Sequence, residues 1–146
     1  MLQNKIILGS EEWCTFPELG IPSIKARVDS GAKTSALHAK NIAPFVKDGR
    51  NYVKFDVNPI QNNIKTVVHC EAPLVDKRVV KSSSGFREQR YVIQTSLEIG
   101  DSKWIIEMTL TNRDSMGFRM LLGREAMSGR VLVDPEQQYL LGQHSP

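Results

Sequence analysis

Cysteine is nearly absent from this chain of 146 residues: Cys14 and Cys70 stand far apart and are too few for a disulfide framework, which excludes the small secreted scaffolds that need one. Both read as small buried hydrophobes in a reducing compartment. No apolar run approaches the roughly 18 residues required to span a bilayer, so no membrane contact is expected. The start Met1-Leu2-Gln3-Asn4-Lys5 lacks the basic, apolar and small-residue order of a secretion signal, and a cytoplasmic location is expected. The three histidines, His38, His69 and His144, are scattered, and neither a His-Glu-x-x-His pair nor a Gly-rich phosphate loop occurs. The expectation is therefore a protein without a metal or other cofactor. Aromatic residues make up 7% and the net charge is only +3, too mild a signature for nucleic-acid binding. Low-complexity stretches and repeats of 20 to 50 residues are also missing, which excludes disordered, collagen-like and solenoid designs.

What is present suffices for one packed core. The hydrophobic content is 40%, nothing resembles a linker, and residues 1–146 read as a single domain. Turn residues recur at short intervals, and the segments between them alternate or run apolar over strand lengths, so the chain reads as mainly β. Expected strands cover 5–8, 24–28, 52–57, 65–70, 79–81, 90–99, 104–111 and 130–133. Hairpin turns are expected at Asn58-Pro59 through Asn62-Asn63 and at Gly100-Asp101-Ser102. The best helix signal is the short stretch from Arg124 to Met127, bracketed by Gly123 and Gly129. Thr34 to Ala39 reads equally as a brief coil or as a strand leaving a tight turn.

Chemistry concentrates in Arg27-Val28-Asp29-Ser30-Gly31-Ala32-Lys33-Thr34-Ser35, where an acid ends an apolar strand and a glycine follows it. Backbone N–H groups of such a turn can face the carboxylate and fix its orientation, while the Ser30 hydroxyl can tie the loop to a neighbouring segment. Asp-Ser-Gly alone is an ordinary turn tripeptide. Downstream, Met120-Leu121-Leu122-Gly123-Arg124 joins an apolar strand to the short helix. Together the two elements resemble the active-site loop and apolar-Gly-Arg segment of retropepsin-like aspartic proteases. Val79 to Phe86 is similar to the flap hairpin of that fold. More closely, Asp29-Ser30-Gly31-Ala32 running into Thr34-Ser35-Ala36-Leu37-His38-Ala39, with Ser84-Gly85 before Arg90-Tyr91-Val92, resembles a bacterial family labelled ATP-dependent zinc proteases. Its members often accompany a ligase that adds glutamates to a ribosomal protein. The residues here support neither the zinc nor the ATP of that label.

The resemblance implies a closed acid-protease barrel with a short helix in its C-terminal half. It implies Asp29 as the catalytic acid, Ser30, Gly31, Ala32 and Thr34 as its loop, and Ser82, Ser83, Ser84 and Gly85 as the flap. Such enzymes use two facing carboxylates, and this chain has one motif, so a homodimer follows. Ala32 stands where many such sites carry a hydroxyl, which implies activity extending toward neutral pH. Lys33 occupies the position of the acid that normally pairs with the arginine at Arg124. Lys33, Arg90 and Arg124, together with Arg27, Lys81, Arg87, Arg113 and Arg119, then suit a peptide or protein substrate that is acidic or polyglutamylated. Three other readings remain open: a non-catalytic peptide-binding barrel, a zinc hydrolase built on Asp29, His38, His69 and Cys70, and a basic barrel binding RNA through Tyr52, Phe55, Phe86 and Tyr91.

Overall fold

The computed structural model describes residues 5–60, 63–81, 85–112 and 117–142. Eleven strands and one α-helix are found among them: β1 (Ile6–Leu8), β2 (Glu11–Phe16), β3 (Ile21–Val28), β4 (Ser35–His38), β5 (Lys40–Lys47), β6 (Arg50–Val57), β7 (Val68–Lys81), β8 (Arg87–Ile99), β9 (Ser102–Thr111), β10 (Met120–Leu122), α1 (Arg124–Met127) and β11 (Val131–Val133). A 3-10 turn, Pro17–Leu19, separates β2 from β3.

Strand order in the main sheet is β2-β3-β10-β4-β9-β8-β7-β6-β5, and Thr15 of β2 pairs with Glu98 of β8. That last contact closes β2, β3, β10, β4, β9 and β8 into a six-stranded barrel, while β7, β6 and β5 extend beyond it. β1 and β11 form a separate parallel pair. The barrel is filled by inward residues of alternating strands, among them Ile24, Ala26, Leu37, Ile93, Leu97, Ile99, Met108, Met120 and Leu122.

The expected mainly β barrel is therefore what folds, with the helix over the expected four residues and strands β6, β7, β8 and β9 in an antiparallel meander. Gly100 opens the expected β8–β9 hairpin with φ of 58°, a conformation glycine takes without strain. The expected segment 65–70, from Val68 onward and without residues 65–67, and the expected 79–81 belong to one strand of 14 residues, β7, bent by a bulge between Leu74 and Asp76. Thr34 to Ala39 resolves in favour of a strand, β4. Strands β2 and β5 went unrecognised in the sequence. β2 hides its alternation because Glu12, fully buried, occupies a core-facing position.

Candidate functional site

Two strands end at the same place. β10 lies parallel to β3, with Leu122 opposite Val28, and antiparallel to β4, with Met120 opposite Leu37. The chain therefore passes down β3, turns through Asp29 to Lys33, returns along β4, and has β10 inserted between the two. The Asp29 N–H donates to Leu122 O at 2.9 Å, so the apolar segment fixes the start of the acidic loop. Ala32 N–H closes the turn on Asp29 O at 3.2 Å.

The side chain is oriented from within the loop: Gly31 N–H donates to Asp29 Oδ1 at 2.9 Å. A Cβ on Gly31 would sit 3.2 Å from that oxygen, so a larger residue there would press on the carboxylate. Asp29 is half-buried, between the buried Val28 and the exposed Ser30 and Gly31.

The start of α1 clamps the far side of the loop. Arg124 N–H donates to Ala32 O at 2.7 Å and Glu125 N–H to Lys33 O at 3.0 Å. Gly123 lies so close beneath Thr34 that a Cβ would come within 2.5 Å of its carbonyl carbon, which no side chain tolerates. Gly123 N–H is received by Ser35 Oγ at 3.0 Å, in a position with no solvent. Arg124 Nη1 donates to Ser30 O at 3.2 Å, so the Ser30 carbonyl, rather than its hydroxyl, ties the loop to its neighbour. Arg124 has no ion pair among the described residues, and neither has the exposed Lys33.

Other residues singled out in the sequence lie apart from this loop. Arg90, on β8, pairs with Glu88 at 2.9 Å and directs Nη1 toward Thr109 Oγ1 at 3.5 Å; its side chain is 14% exposed. Gly85 is exposed with φ of 85°, and Ser82, Ser83 and Ser84 lie outside the described residues, as do Arg113 and His144. The four residues weighed as a zinc set do not converge. His38 is buried and receives Arg119 Nη1 on Nδ1 at 3.1 Å. Exposed His69 meets Asp56 at 2.6 Å. Cys70 donates its thiol to Leu19 O at 3.3 Å, and burial, then the nearby Asp56 charge, pushes that thiol up to about 12. A thiol so reluctant to ionise is a poor zinc ligand. Among the described residues no three His, Cys, Asp or Glu side chains stand close enough to hold a metal ion.

Ser35, although part of the loop segment 27–35, and Thr109 were not among the expected site residues. Thr109 Oγ1 donates to the Ser35 backbone carbonyl at 3.0 Å, and both residues are buried, so the Thr109 hydroxyl holds the start of β4 behind the loop. Polar residues inside otherwise apolar strand segments were the available signal.

Comparison with known proteins agrees with this fold. A Legionella pneumophila protein of unknown function has a solved structure that superposes with a TM-score of 0.77 at 29% identity, covering 92% of this chain and 97% of that one. A Shewanella pealeana protein named "Probable alpha-L-glutamate ligase" is 57% identical over 143 residues, 98% of this chain but 31% of its own length. A Desulfotalea psychrophila protein of the same name is 59% identical, over 97% of this chain and 30% of the relative. The chain thus spans about a third of the curated relatives it matches. The model of the RimB-like family, described as retropepsin-like aspartic endopeptidase RimB, matches residues 7–144, and the chain belongs to that family.

Proposed function

We propose that the chain is a peptidase of the aspartic type, with Asp29 of two copies forming the catalytic pair. The observation that carries the reading is the doubly clamped loop: an aspartate oriented by Gly31 N–H, on a turn held by Leu122 O and by the backbone of Arg124 and Glu125. Several fixed contacts around one carboxylate are what preorganised acid–base chemistry requires. In the reaction, one carboxylate of the pair is ionised and takes a proton from water as that water attacks the peptide carbonyl. The other is protonated and donates to the carbonyl oxygen. A single chain supplies one such acid, so the homodimer is part of the proposal.

The substrate we propose is an acidic peptide, for which a glutamate-rich tail is the best candidate. Lys33 and Arg124 support it: the usual acid–arginine pair is replaced by two exposed cations flanking the loop. The names of the curated relatives support it also, since a domain like this one forms part of proteins named as glutamate ligases. The test is hydrolysis of glutamate-rich and neutral peptides by the chain and by its Asp29→Asn variant. Cleavage of the acidic peptide, abolished by at least about a thousandfold in the variant at unchanged thermal stability, is expected. Retained turnover in the variant would reject the mechanism, and equal rates on both peptides at all salt concentrations would reject the substrate.

A further inference from the structure

The two faces of the β7–β8 hairpin treat their cations differently. Residues opposite one another across a hairpin share a face, which puts Asp76, Arg78, Glu88 and Arg90 on one side and Lys77, Val79, Lys81, Arg87, Gln89 and Tyr91 on the other. The second set has the parity of Ile93, Leu97 and Ile99 further along β8, so it prolongs the inner lining of the barrel. On the outer face, Arg78 stands directly opposite Arg90, an arrangement that repels unless counter-charges are near. They are present: Arg78 meets Asp76 and Glu107 at 2.8 Å each, and Arg90 meets Glu88 at 2.9 Å.

The inner face repeats the like-charge pair at Lys81 opposite Arg87, without the carboxylates. Among the described residues neither forms an ion pair, both are exposed, and the third cation, Lys77, stands 5.6 Å over the Tyr91 ring. Uncompensated repulsion on one face, beside full compensation on the other, is a built asymmetry. We propose that Lys81 and Arg87, extended by Lys77, form an anion-reading edge that takes the side-chain carboxylates of an acidic peptide laid along the inner face of the hairpin.

The spacing suits an extended chain. Lys77 and Lys81 are four strand residues apart, about 13 Å, and every second side chain of an extended peptide falls on one side at about half that distance. Glutamates four positions apart therefore come into register with Lys77 and Lys81, while the side chain between them meets exposed Val79. Nucleic acid is the less suitable anion: Tyr91, the ring on this face, is already covered by Lys77, which leaves little for a base to stack on.

The inference rests on the proposed peptidase function only for the identity of the ligand, and it is tested by binding. The full chain carrying Asp29→Asn is titrated into labelled hexaglutamate, hexaglutamine and hexauridylate, followed by fluorescence anisotropy. Hexaglutamate should bind with an affinity that falls as salt rises. Adding Lys81→Gln and Arg87→Gln should weaken it about tenfold, the sum of two exposed charge contacts. A charge-matched control, Lys65→Gln with Lys103→Gln, should change it less than about twofold. The proposal is overturned by equal losses in both pairs, by no loss in either, or by hexauridylate binding as tightly as hexaglutamate. If hexaglutamate binds in this way and the unaltered chain never cleaves it, the peptidase reading fails and the anion-reading edge stands.

Discussion

At the scale of single residues, the site depends on Gly123 and Ser35 as much as on Asp29. Gly123 is required by contact alone, since its backbone conformation needs no positive φ while the Thr34 carbonyl leaves no room for a methyl group. Gly123→Ala should therefore destabilise the fold by about 1–3 kcal/mol, the usual range for forcing an added methylene into packed surroundings. Denaturant unfolding would measure this, and a change below about 0.5 kcal/mol would show that the loop is not clamped as described. Ser35→Ala leaves the Gly123 N–H buried without a partner and should cost about 1–3 kcal/mol, with peptidase activity falling further than stability alone accounts for. Asp29 and its loop were legible in the sequence because an acid followed by Gly at a strand end is a local signal. The hydroxyls of Ser35 and Thr109 were not, because their partners lie 88 and 74 residues away in the chain.

At the scale of elements, short signals bracketed by glycine were legible. The helix at Arg124–Met127 and the Gly100 turn fell where flanking glycines indicated. The β5–β6 hairpin was not foreseen, although Asp48 and Gly49, with φ of 52° and 76° between the paired residues Lys47 and Arg50, form the two-residue turn that Asp-Gly favours. β5 carries Pro44 in its interior, which hid it. Pro73 and Asp76 interrupt the strand pattern of β7 in the sequence. Over its first residues, to Pro73, it pairs with β6 alone, an edge position that tolerates proline. The buried Glu12 has a structural reason that no periodicity reveals. Its carboxylate receives Gly9 N–H at 2.7 Å, Leu140 N–H at 3.1 Å and Leu141 N–H at 3.4 Å, pinning the segment after β11 across β2.

The same segment carries a pH prediction. Tyr139 donates its hydroxyl to Glu11 Oε1 at 2.6 Å, and burial followed by that bond pushes the phenol up to about 12. A raised phenol favours the folded state while it is protonated. Its contribution is thus complete below the unfolded value near 10 and is lost as pH rises through about 12. Alkaline titration of phenolate absorbance should show a component near the upper value that vanishes in Tyr139→Phe. An identical curve in the variant would contradict the anchoring of this segment.

At the scale of the whole molecule, closure of the barrel places β10 between β3 and β4, and that topology turns two distant motifs into one loop. Strand content made a mainly β chain foreseeable, and the family resemblance implied the closed barrel. The extension by β5 and β6 and the sorting of cations between the faces of the β7–β8 hairpin were not, since both depend on register. What a single copy does not supply is the second carboxylate, and the proposed function stands or falls on it. The most direct measurement mixes the unaltered chain with Asp29→Asn in equal amounts, allows subunits to exchange, and reads peptide hydrolysis at constant total concentration. If the catalytic pair draws one Asp29 from each of two copies, activity should fall to about a quarter, the share of dimers with both acids. Activity of about one half, proportional to the unaltered chain present, would mean that each copy works alone and would contradict the account.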